Sequence, residues 1–131
     1  MGAAANAERI RKGYTAFNSG DVDTLVDLFA EDIVWHFPGT SKLAGEHVGR
    51  DAALTVLGAY GAASEGTLQA NLVDLMANDY RVTGWANDTA SAHGKSLDIN
   101  SIVIFTMRDG KVTEGRHFVD DQAALDSFLS E

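Results

Sequence analysis

Cysteine is absent from this chain. That excludes disulfides, thiolate nucleophiles and cysteine metal sites, and it fits a cytoplasmic protein. Proline occurs once, at Pro38, in 131 residues that are 45% hydrophobic. The pairing points to a folded domain rather than a disordered segment. Basic residues are few: ten Lys and Arg against nineteen Asp and Glu give a net charge of −9. A chain this acidic repels nucleic acid and anionic membrane surfaces, so neither is expected as a partner. No apolar run approaches the ~20 residues needed to cross a bilayer. Met1 to Asn6 carries neither a basic region nor a long apolar one. No secretory signal is read there, and residues 1–6 are expected to be a disordered N-terminus. No glycine-rich phosphate loop is present, and the four histidines show no His-x-His or His-x-x-Glu spacing. Neither metal nor nucleotide nor any other cofactor is expected.

What is present reads as one domain over residues 7–131. Ala7, Ile10, Tyr14 and Phe17 recur at helical spacing, which predicts a helix from Ala7 to Ser19. Gly20 suits the left-handed position after a helix end and Asp21 suits an N-cap. A second helix is predicted from Val22 to Phe29. Ile33 to Phe37 is a short β-rich run stopped by Pro38-Gly39, and Thr40 to Val48 reads as an irregular loop. A third helix opens at Gly49-Arg50-Asp51 and reaches Ala63. Four strands follow, Thr67–Met76, Tyr80–Ala92, Ser96–Met107 and Val112–Val119, with Asp109-Gly110 a strong hairpin signal between the last two. Asp121 to Leu129 closes the chain as a short helix. Helices followed by a run of strands mean α+β: a curved antiparallel sheet, partly covered by three N-terminal helices, with a cavity left between them.

These blocks carry a family resemblance. Tyr14-Thr15-Ala16-Phe17-Asn18-Ser19-Gly20-Asp21, Leu28 to Trp35, Gly49-Arg50-Asp51-Ala52, Arg108 to Glu114 and Asp120 to Leu125 follow in order along nearly the whole chain. Together they resemble the SnoaL-like group of the nuclear-transport-factor-two-like superfamily. Its relatives include polyketide cyclases, ketosteroid isomerase and limonene epoxide hydrolase. The resemblance implies a cystatin-like α+β barrel with a conical cavity, often in a homodimer formed through the outer sheet face. It does not fix the chemistry, because this fold hosts isomerases, cyclases, dehydratases, hydrolases and non-catalytic binders.

Position by position, the resemblance is selective. The isomerase's first-helix tyrosine falls on Gly13, one residue before Tyr14, and its general base falls on Phe37 before Pro38. The epoxide hydrolase's Arg-x-Asp pair falls on Gly84 and Ala86 by count from Gly110, and its last-strand aspartate on His117. The cyclase aspartate at the end of the last strand falls on Asp120. The resemblance therefore implies Asp120 as a general base, and it matches His36 to a water-positioning cavity residue of the epoxide hydrolase. His117, close by in sequence, is read with His36 as a helper of Asp120. The simpler alternatives stand beside these. Asp120 or Asp121 can cap the last helix. His117, three residues from Asp120, faces the opposite side of a regular strand. His36 can be a buried histidine bonded to a backbone carbonyl. Tyr14, Trp35, Phe37, Tyr60, Trp85, Asn100 and Phe118 are candidate ligand contacts, and Arg116 more simply pairs with Glu114. The function expected is cofactor-independent acid–base chemistry, of isomerase, cyclase or dehydratase type, on a small hydrophobic oxygen-bearing molecule. A non-catalytic binder or dimeric accessory protein is the alternative. An epoxide-hydrolase-like hydrolase comes third.

Overall fold

The computed structural model of the chain describes residues 2–130. Its elements are α1 (Ala3–Ser19), α2 (Val22–Leu28), β1 (Phe29–Phe37), β2 (Gly45–Val48), α3 (Arg50–Ala63), β3 (Gln69–Ala77), β4 (Arg81–Ala92), β5 (Lys95–Arg108), β6 (Lys111–Val119) and α4 (Gln122–Leu129). The fold is α+β, a curved six-stranded sheet in the order β2-β1-β6-β5-β4-β3. Helices α1 and α3 pack on its inner face, with α2 between them.

Local chemistry explains most boundaries. Gly20 ends α1 in the left-handed region at φ 74°. Asp21 then caps α2 by accepting from the Thr24 backbone N–H at 3.2 Å. Asp109 and Gly110 both take positive φ, 51° and 78°, as a two-residue hairpin turn between twisted strands requires. His93-Gly94 makes the same turn between β4 and β5, at φ 54° and 75°.

Four expectations change. Helix α1 begins at Ala3, not Ala7, because Asn6 is buried and its amide donates to the Asn78 and Asp79 carbonyls at 3.4 and 3.1 Å. Of the six residues expected to be disordered, Ala3–Asn6 are therefore helical, and Met1 lies outside the described residues. Helix α2 stops at Leu28, because Phe29 starts β1 and is 2% exposed. Gly45–Val48, expected as loop, is strand β2, paired with β1. Its exposed Gly-Glu-His-Val carries no alternating pattern to announce it. The sheet is also not wholly antiparallel: β1 runs parallel to β6. That pairing joins strands some eighty residues apart, beyond the reach of any local signal.

The inner face of β4 explains the hollow. Val82, Gly84, Ala86, Asp88, Ala90 and Ala92 point inward, and most of them are too small to reach the helices. Two glycines then admit large rings. A Cβ on Gly84 would collide with the Tyr14 hydroxyl, and one on Gly115 with the Trp35 indole. Gly115→Ala is accordingly expected to overpack the wall and cost about 1–3 kcal/mol, read as a lower urea midpoint with an unchanged m-value.

Candidate functional site

The hollow has a volume of about 70 Å3, against the ~10–15 Å3 that a single water requires. Most of its wall is apolar, including Ile10, Phe17, Leu25, Leu28, Leu57 and Val103. Five polar residues other than Trp35 also line it: Tyr14, Tyr60, Asp88, Ser101 and His117. Among the described residues no lysine or arginine does so, and Asp88 is its one carboxylate.

Asp88 is 2% exposed. The Tyr60 hydroxyl donates to its Oδ2 at 3.1 Å and the Ser101 hydroxyl to its Oδ1 at 2.9 Å. Burial disfavours the charged carboxylate and outweighs both hydrogen bonds, so its pKa is pushed up to about 6. Each oxygen keeps a lone pair beyond the one its hydroxyl donor uses. Tyr60 is itself held by packing. Its ring meets Phe37 edge-on at 5.3 Å and lies 6.3 Å from His117. Burial first, and the Asp88 charge second, push the Tyr60 and Tyr14 phenols well above their usual range. Both stay protonated at neutral pH.

Register places the other polar groups. Gly84, Val103 and His117 form one row across β4, β5 and β6. The Tyr14 hydroxyl sits over Gly84 at one end of that row, and the His117 ring stands at the other. Trp35 lies over Gly115 on the neighbouring strand, 6.1 Å from the His117 ring. Burial pushes the His117 pKa down to about 4, so the ring is neutral at pH 7. Among the described residues, the Tyr14 hydroxyl, the Trp35 indole nitrogen and both His117 ring nitrogens are buried without a hydrogen-bond partner. Buried polar atoms are rarely left so, and a cluster of them around one hollow calls for bound water or a ligand that bonds them.

The other candidates lie elsewhere. Asp120 is exposed. Its carboxylate accepts from the Asn100 backbone and side-chain amides at 2.9 and 3.0 Å. Those bonds hold its pKa below the usual carboxylate range and fasten the open end of the β5–β6 ladder. Asp121, beside it, caps α4 through the Ala124 N–H at 2.9 Å. His36 faces the outer side of the sheet, where Nε2 meets Glu114 Oε2 at 3.0 Å. The reason is parity: Ile33, Trp35 and Phe37 point inward, leaving Val34 and His36 outward. Phe37 braces Tyr60 and His117 from behind. Trp85, Asn100 and Phe118 also lie on the outer face, with the Trp85 indole donating to Asn100 Oδ1 at 3.1 Å. Arg116 pairs with Glu114 at 3.2 Å. So His117, Tyr14, Trp35 and Tyr60 converge on the hollow, whereas Asp120 and His36 do not reach it.

Sequence reasoning passed over Asp88 and Ser101. The signal for Asp88 was the alternation within β4, a lone carboxylate on a face otherwise apolar or small. Counting back from Gly110 came down on Gly84 and Ala86, four and two positions short of it on that same face.

Comparison with known proteins agrees with this architecture. The SnoaL-like domain matches residues 10–115. An uncharacterized protein of Mycobacterium tuberculosis is 34% identical over 125 residues, 95% of each chain. The solved structure of Bal32a, from a soil-derived mobile gene cassette, superposes with a TM-score of 0.94 at 43% identity, covering 98% of both chains. A cystatin-like protein of unknown function from Xanthomonas campestris superposes at 0.89, with 28% identity over 96% of this chain and 98% of its own. On the strength of its match to the domain and of these neighbours, the chain belongs to the SnoaL-like family of the nuclear-transport-factor-two-like superfamily.

Proposed function

We propose that the domain is a cofactor-independent acid–base enzyme, of isomerase, cyclase or dehydratase type, acting on a small hydrophobic oxygen-bearing molecule. One observation carries the reading: a buried carboxylate, tethered at both oxygens and ionising near pH 6, stands on the wall of a mostly apolar hollow. A base with a pKa near the working pH combines the right protonation state with driving force for proton transfer. At pH 7 Asp88 is mostly ionised. Its free lone pair takes a proton from carbon beside the substrate carbonyl. The electrons of that C–H bond move into the carbonyl, and the oxygen becomes an enolate. The Tyr14 hydroxyl, still protonated, donates to that oxygen where charge develops. His117, neutral, can donate from one ring nitrogen and accept at the other, as a relay needs. Returning the proton to another carbon, or losing a leaving group, completes isomerisation or elimination. The test is turnover, or deuterium incorporation beside the carbonyl of a small ketone in heavy water, by wild type and Asp88→Asn.

The second reading is a non-catalytic binder. The paired hydroxyl donors favour it, because both Asp88 oxygens already have partners within the protein. It predicts ligand-induced melting shifts with no exchange or product. The cysteine-free composition keeps the cytoplasm as the proposed location; among the described residues no helix is long and apolar enough to cross a membrane.

We further infer that two copies pair through the outer sheet face. Trp85, Ile102 and Phe118 form a row across β4, β5 and β6. Trp85 and Phe118 are 40% and 50% exposed, and Met76, on the same sheet, 55%. Contiguous exposed apolar surface of this kind marks interaction sites. Sedimentation velocity at micromolar concentration should find a dimer that Phe118→Glu converts to a folded monomer. A monomeric wild type would end the inference.

A further inference from the structure

Asp88 and Tyr14 carry the proposed proton transfer and His117 relays it, but at the His117 end of the hollow the Trp35 indole N–H has no part in it. There, Trp35 is 4% exposed and His117 7%, and their rings sit 6.1 Å apart at an interplanar angle of 82°. The indole N–H is a donor and nothing else. A neutral imidazole carries one donor and one acceptor. None of these three atoms has a hydrogen-bond partner among the described residues, and both side chains line the hollow. A hydroxyl is the group that fits both: its oxygen accepts from Trp35 and its proton goes to the His117 acceptor.

Strand spacing sets the separation. Gly84, under the Tyr14 hydroxyl, and His117 lie two strands apart in one cross-strand row. At ~4.8 Å per strand the two backbones are roughly 10 Å apart, and Tyr14, Val103 and His117 all line the hollow. A single small ring can touch both ends. Charge is excluded on both sides. No Lys or Arg among the described residues lines the hollow to meet an anion, and the Asp88 carboxylate repels one. A cation would leave the Tyr14 and Trp35 donors facing a group that cannot accept.

We propose that Trp35 and His117 form a hydroxyl-binding subsite, and that the substrate class is a compact neutral hydroxy-ketone, its carbonyl toward Tyr14 and its hydroxyl between Trp35 and His117. This rests on the reading of the hollow as the ligand site, but not on Asp88 acting as a base. The test is therefore run by equilibrium binding in Asp88→Asn, where the acid–base reading expects turnover reduced about 10²–10⁴-fold and where a failure of that reading leaves the binding result intact. The probes are 3-hydroxycyclohexanone and 3-methylcyclohexanone, which have nearly the same shape and differ by one hydroxyl. The hydroxy-ketone should bind at least ten-fold more tightly. It should also move the indole N–H resonance that disappears in Trp35→Phe, while the Trp85 indole, bonded to Asn100, stays put. Trp35→Phe and, separately, His117→Leu should each reduce the preference to within two-fold. Equal affinity for the two ketones overturns the proposal. So does a preference that survives both substitutions, or failure of the hydroxy-ketone to bind at all.

Discussion

Asp88→Asn should lose about 10²–10⁴-fold in turnover, the share a positioned base contributes, and should unfold at higher urea than wild type at pH 8. The second half follows from linkage. The folded-state pKa of Asp88 is raised from 3.8 to about 6. A raised acid contributes stability that is fully present below the unfolded value and is lost as pH rises through the folded one. Above pH 6 the folded protein therefore holds an ionised carboxylate that burial disfavours. At ~1.4 kcal/mol per unit the penalty is about 3 kcal/mol. Asparagine keeps the shape, and one of the Tyr60 and Ser101 hydroxyls turns to accept from its amide. The gain should be largest at pH 8 and fade toward pH 4, where Asp88 is already protonated in the fold. His117 works the other way. Its pKa is lowered from 6.5 to about 4, so its contribution is lost as pH falls through that window. In wild type the two trends oppose each other between pH 6.5 and 4. In Asp88→Asn the histidine acts alone, and the variant should be the more acid-sensitive relative to its own stability at pH 8. Urea titrations at pH 8, 6 and 4 read all three effects. Turnover within a few-fold of wild type would remove Asp88 from the chemistry.

Tyr14→Phe should cost about 10²–10³-fold in kcat, the loss measured for a single oxyanion donor elsewhere. Stability should hold or rise, because the substitution deletes a buried hydroxyl without a protein partner and keeps the ring against Phe105 at 6.0 Å. That combination separates a donor from a wall residue, whose removal would lower stability and leave kcat near wild type. Tyr60→Phe makes the contrast. It removes a hydrogen bond that lowers the Asp88 pKa, so the acidic limb of the kcat profile should move to higher pH rather than the plateau collapse.

Much of this architecture was legible before any coordinates. Gly20 and Asp21, Asp109 and Gly110, and His93 and Gly94 announced their turns, because each rests on local backbone chemistry that a few residues contain. Helical spacing and strand alternation located nine of the ten elements, α1 apart from its first turn. Pairings across long separations were not legible. Nothing near Phe29 to Phe37 says that β6 will lie parallel beside it, and Gly45–Val48 becomes a strand only because β1 offers an edge. The site was half legible for the same reason. Tyr14, Trp35, Tyr60 and His117 are large, and their burial could be anticipated from pattern. The family resemblance drew attention to Asp120, yet its position at the ladder's end let the Asn100 amides hold it at the surface. Asp88 hid in plain alternation, because attention went to conspicuous ionisable clusters rather than to the one charged residue on a small-residue face. Ser101 became meaningful only once the β4–β5 register set it diagonally against Asp88.

The proposed chemistry turns on the ionisation of one buried side chain, and the carbon-13 shift of the Asp88 carboxyl followed against pH measures it directly, with Asp88→Asn supplying the assignment. A midpoint close to pH 6 is the result expected. A midpoint near 4, as for a carboxylate in water, would mean that the hollow does not desolvate Asp88, and the proposed base would lose its physical basis.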